Sequence, residues 1–165
     1  MEPGRIIANQ IMAQIKTPML PAFIQALKQY DDVWAHTLLN RMSSVVGEHE
    51  LDSWAFTISE RDTPAVAMAL HELGVVKMNI FLKDPRDRKK MLPVFPLMLR
   101  RGEEIKMLPG ELKELQFGDE ILFCGLNAAF KQVEWTVNNY NVLQYILTGK
   151  EMSNTIFSRF INKDA

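Results

Sequence analysis

Four arginines are the side chains whose type and spacing best suit chemistry in this 165-residue chain. Arg86 and Arg88 follow Pro85, and Arg100 and Arg101 lie a dozen residues on. A guanidinium presents a planar fork that can hold a phosphate or carboxylate through two hydrogen bonds at once. Lys83, Arg86, Arg88, Lys89, Lys90, Arg100 and Arg101 outnumber Asp84 and Asp87, and from Glu103 to Glu120 the sign reverses, with six acids against Lys106 and Lys113. Two uses follow: the arginines receive an anionic small molecule, or one subunit's basic loop docks on another's acidic turn. A plain solvated surface of mixed charge is the competing reading.

The remaining reactive residue types point away from catalysis. His36, His49 and His71 stand in separate elements, and His71-Glu72 lacks the second histidine that a helical zinc motif requires. The single cysteine, Cys124, lies in an apolar run beside Leu122 and Phe123, where a thiol behaves as a small unreactive hydrophobe. Ser43-Ser44 and Ser59-Glu60 match no nucleophile motif, and Glu111, Glu114 and Glu120 read as a solvated surface among lysines. No catalytic residue, no metal site and no cofactor is therefore expected. A formal net charge of −1 argues against a dedicated nucleic-acid binder, and apolar runs are broken well short of a ~20-residue membrane span. The lone cysteine and the absence of a secretory pattern at Met1-Glu2-Pro3-Gly4 suit a reducing cytoplasm.

The elements that must position these residues are read from periodicity. Ile7, Ile11 and Ile15 line one face of a helix. Thr17-Pro18 opens a second helix to about Tyr30, with Leu20, Phe23, Ile24 and Leu27 on its apolar face. Asp31 or Asp32 caps a third, carrying Val33, Trp34, Leu38 and Met42 and ending near Gly47. Trp54, Phe56 and Ile58 alternate as a strand, Thr63-Pro64 and Gly74 bound a helix with Val66, Leu70 and Leu73 inward, and 75–82 reads as a returning strand, completing a β-α-β unit. Asp84-Pro85-Arg86-Asp87 is a turn, and Pro93 and Pro96 mark the following strand as an edge. Asn127 caps a helix over 128–138, 142–147 is ambiguous between helix and strand, and the tail from Ser153 can form an amphipathic turn. Met68, Met78, Met91 and Met98 fall on faces expected to be buried.

Residues 94–125, VFPLMLRRGEEIKMLPGELKELQFGDEILFCG, give the order strand, turn at Arg101-Gly102-Glu103, strand, spacer, turn at Phe117-Gly118-Asp119, strand. This R-x-G-E … P … G-D-x-I-L-x-x-G order resembles the C-terminal lobe of RCK domains (regulators of potassium conductance), the TrkA-C type. The resemblance extends to 54–59, 64–73 and 75–82 as the lobe's opening, and to Glu2-Pro3-Gly4 as the entry to crossover helices. It implies an α+β fold in which a small β-α-β-β-β lobe at 51–125 is flanked by a helical arm at 1–50 and a helical extension at 126–165. It further implies a cytoplasmic regulatory fragment of a bacterial potassium channel or potassium-uptake protein, at the inner face of the inner membrane. Its partners would be further copies of itself, an upstream Rossmann-type lobe and a membrane pore, with an anionic small molecule as ligand. The G-x-G-x-x-G dinucleotide loop and the pore helices are missing from the chain. The alternative is a purely structural oligomerisation domain with no small-molecule ligand.

Overall fold

The computed structural model describes residues 18–150 as a mixed α+β fold. The helix expected from Ile7, Ile11 and Ile15 and the turn expected in the tail from Ser153 fall outside the described residues. In chain order the elements are α1 (Leu20–Leu27), α2 (Asp32–Val46), β1 (Asp52–Thr57), α3 (Pro64–Leu73), a 3-10 turn (Met78–Phe81), β2 (Lys83–Asp84), β3 (Asp87–Met91), β4 (Val94–Arg101), β5 (Glu104–Met107), β6 (Glu120–Gly125), α4 (Asn127–Asn138) and α5 (Tyr140–Thr148). Strands β1-β6-β4-β5 form one antiparallel sheet in that order, and β2-β3 is a separate hairpin.

Period-two alternation gives the sheet two apolar faces. Trp54, Leu99, Ile121 and Phe123 pack with α3, α4, α5 and the 3-10 turn. Phe95, Leu97, Met98, Met107, Leu122 and Cys124 pack with Phe23 and Ala26 of α1 and Leu38 and Met42 of α2. All three stretches distinguished in the sequence thus contribute to the layers around one sheet.

Two expectations about strands fail for physical reasons. Residues 75–82 do not form a strand of the sheet. Val76 accepts from Leu115 N, and Met78 N and Asn79 N donate to Lys113 O and Glu111 O, after which the chain tightens into the 3-10 turn. Val76, Met78, Ile80 and Leu82 are indeed buried, but so is Phe81, because the 3-10 turn breaks the alternation and packs it into the helix-covered core. The β-α-β unit therefore lacks its second strand, and the neighbour of β1 is β6. Nor is β4 an edge. It pairs with both β6 and β5, and Pro96 is tolerated because the register slips between Pro96 and Met98. Leu97 is the extra residue of this bulge, which is where an interior strand accommodates a residue without an N–H.

The helices are closer to expectation. Asp31 caps α2 by accepting from Trp34 N at 2.9 Å, and Gly47, Gly74 and Gly149 take positive φ at helix ends. Residues 140–148 resolve as helix, capped by Asn139. Other details differ. Helix α1 is shorter than predicted, and Phe23 and Ala26 are its buried residues. Val33 is 73% exposed, and Leu73, Met68 and Met91 are also exposed, whereas Met78 and Met98 are buried. Thr63 does not cap α3: its hydroxyl accepts from Ser59 N instead. Asn127 does not cap α4 and donates its amide to Asp52.

Candidate functional site

The two arginine pairs occupy different parts of the fold. Arg86 sits in the two-residue turn of the β2-β3 hairpin, where proline at the preceding position presets the backbone. Its Nε and Nη2 donate to the two carboxylate oxygens of Asp84 at 2.9 and 2.8 Å, and its backbone N donates to Asp84 Oδ1 at 2.9 Å. The Arg86 hydrogen bond holds the Asp84 carboxyl below its ordinary range, against an opposing effect of burial. Arg88 lies on β3. Its backbone N donates to the Tyr145 hydroxyl, and its side chain lies against Gly149 at the end of α5.

Arg100 and Arg101 close the β4-β5 hairpin. Gly102, at φ 57°, opens a two-residue turn of the type that needs glycine in its first position. Strand alternation then sends the two arginines to opposite faces. Arg100 Nε donates to Glu120 Oε2 at 2.5 Å, and the two residues face each other across the β4-β6 ladder. Arg101 forks onto Asp119, with Nε to Oδ1 at 2.7 Å and Nη2 to Oδ2 at 2.8 Å, and Nη2 also reaches the Glu114 carbonyl at 2.9 Å. Asp119 is fully buried and accepts a further bond from Gln116 N. Its own carbonyl takes Ile58 N, and Gly118 N returns to Ile58 O, so one turn is fastened to both β1 and β4. These hydrogen bonds raise the Arg100 and Arg101 pKa values further above their ordinary range.

The two arginine pairs lie in different hairpins and bond to different neighbours. Arg88 belongs to the hairpin beside α5, whereas Arg100 lies six residues into β4 and bonds across to β6. The sign reversal along the sequence is met in part within the chain. Acids of the second stretch pair with Arg100 and Arg101 of the first, and Asp84 pairs with Arg86. The cleft beside Arg101, lined by Leu99, Glu104, Lys106 and Lys113, has a volume of about 10 Å³ and holds no more than a water. A larger groove of about 210 Å³ lies between α1 and the outer edge of β5, lined by Gln25, Ala26, Gln29, Tyr30, Ile105 and Met107. Sequence reasoning missed it, because nothing in the periodicity of α1 signals which strand it crosses.

The other candidate chemistry stays dispersed. His71 pairs with Glu60 and lies 4.9 Å, ring to ring, from Phe117. Among the described residues no three His, Cys, Asp or Glu side chains gather as a metal site. Burial, with a smaller contribution from the charge of Asp52, pushes the Cys124 thiol up to about 12. Its thiolate is therefore not formed near neutral pH. Tyr140 donates to Glu72 and accepts from Gln144, fastening α5 to α3; the bond to Glu72 raises the phenol's pKa. No helix among the described residues is long and apolar enough to cross a membrane. No protein-family model matches the chain, and no curated protein is significantly similar to it.

Proposed function

We propose that this chain is a regulatory and assembly lobe of the RCK C-terminal type, serving a potassium channel or potassium-uptake protein from the cytoplasmic side. The observation that carries the reading is the β4-β5-β6 run. Its turns at Gly102 and at Gly118-Asp119 are the signals behind the resemblance, and each lies at the end of a paired strand of the one four-stranded sheet. Such a lobe acts mechanically: binding energy that differs between two arrangements of paired lobes shifts the attached pore.

Of the two means of regulation, assembly has the better support. Arg86, Arg100 and Arg101 already serve carboxylates of the same chain, so an anionic ligand would compete with an existing partner at each. Large apolar side chains remain exposed on α3 and the β5-β6 connection, among them Met68, Leu73, Leu112 and Phe117, as suits surfaces that meet other subunits. Deleting the codons for residues 18–150 at the native locus tests the proposal. The expected result is altered growth on limiting potassium. Unchanged growth and potassium uptake would overturn it.

A further inference from the structure

Among the described residues strand β5 is the last of its sheet, and the two-residue turn before it fixes which of its backbone groups point outward. The residues flanking such a turn, Arg101 and Glu104, exchange backbone bonds, so the next pair, Arg100 and Ile105, does not. The N–H and C=O of Ile105, and again of Met107, therefore face away from β4. Among the described residues, no hydrogen bond to either group is formed from outside the sheet. Beneath this edge lies the 210 Å³ groove, into which Ile105 and Met107 project beside Ala26 and Tyr30. On the opposite face of the same strand Glu104 and Lys106 are exposed, and neither is ion-paired among the described residues. Glu104 is near enough to Arg101 to feel its charge.

We infer that β5 pairs with β5 of a second copy, antiparallel about a two-fold axis through Ile105, making one continuous sheet of eight strands. The charge pattern selects this occupant. An antiparallel pairing centred on Ile105 sets Glu104 opposite Lys106 of the second copy, and Lys106 opposite its Glu104. A lysine on an edge strand ordinarily deters pairing, and here the symmetry turns it into an attraction that occurs twice. Register and hydrogen bonding agree, because Ile105 is an outward-bonding residue and can exchange both bonds with its symmetry mate. Directly opposite residues share a face, so Ile105 of the second copy would lie over the groove. The groove exceeds the ~150 Å³ of an apolar cavity known to admit benzene.

This inference rests on the assembly half of the proposed function, and sedimentation equilibrium of the full 165-residue chain separates the two. The wild-type chain should self-associate. Glu104→Lys and Lys106→Glu should each raise the dimer dissociation constant on the order of tenfold, since each replaces two cross-strand attractions by repulsions. The double variant Glu104→Lys/Lys106→Glu should restore wild-type association. Both positions are exposed, so circular dichroism should match the wild type throughout. A wild-type dimer indifferent to either single change, or a double variant that fails to recover, would overturn the strand pairing and leave assembly through another surface. A strict monomer at high concentration would overturn both, with the edge then closed within the chain.

Discussion

Arg101–Asp119 and Arg86–Asp84 are the same forked pair with nearly the same bond lengths and a buried carboxylate in each, set in different contexts. The first joins residues 18 apart in sequence, and its carboxylate is wholly buried beneath a guanidinium that is 27% exposed. The second joins residues two apart in one turn, its carboxylate also covered, at 11% exposed, but beneath a guanidinium that is 63% exposed. Asp119 also accepts Gln116 N and belongs to the turn held by Ile58, so losing it would loosen β1, β4 and the β5-β6 connection together. Asp84 holds only its own hairpin. The difference teaches that geometry alone does not set an ion pair's worth. What decides is how much water each partner has lost and how many elements depend on the bond.

Asp119→Ala should break this contrast most severely. It leaves a largely covered guanidinium and a backbone N–H without their acceptor, and is expected to destabilise the fold by about 3–5 kcal/mol in urea unfolding. Glycines extend the comparison from the middle of the sheet to the surface. At Gly125 a Cβ would lie 2.5 Å from the Pro93 carbonyl and 2.8 Å from Val94 Cα, backbone atoms that cannot swing aside. Gly125→Ala should therefore cost about 2–3 kcal/mol. At Gly149 the obstacle is the far end of the Arg88 side chain, which can move, so the remaining cost is that of an L-residue at φ 74°. About 1 kcal/mol is expected there by thermal unfolding.

How much of this was open to sequence reasoning follows from range. Turns are local: Gly102, Gly118 and the Pro85-Arg86 turn declare themselves through residues that tolerate only certain backbone angles, and strands β4, β5 and β6 could be bounded from them. Whether Pro96 sits on an edge or at a bulge depends on what pairs with both sides of β4, which no local pattern carries. The alternation at 75–82 was real but described burial, and burial on one side does not require a strand. Three of the four arginines find carboxylate acceptors. The partners at Asp119 and Glu120 are set by sheet register, so what read as two separate charge runs is joined by two internal pairs. The Tyr140–Glu72 contact spans 68 residues and had no sequence signal.

Smaller effects should sharpen the distinction. The Asp84 carboxyl is held below its ordinary value by Arg86. A carboxyl whose pKa falls on folding adds stability above its unfolded value of ~3.9, and that contribution is lost as pH drops through the lower folded value. Stability should thus rise with pH across this acid window, and Asp84→Asn should flatten the rise slightly in urea midpoints taken either side of pH ~4. Cys124, by contrast, should be silent in the native state. With its pKa pushed up to about 12, it should resist a chromogenic disulfide reagent at neutral pH and react only on unfolding.

The central claim is that Arg86, Arg100 and Arg101 serve the chain's own carboxylates, and that the long-range fork at Asp119 fastens the fold while the local one at Asp84 does little. A double-mutant cycle measures this directly, with Arg101→Ala, Asp119→Ala and the double variant unfolded in urea alongside the corresponding cycle at Arg86 and Asp84. The account predicts a coupling of about 2–3 kcal/mol between Arg101 and Asp119 and a far smaller one between Arg86 and Asp84. Equal couplings, or none between Arg101 and Asp119, would contradict it.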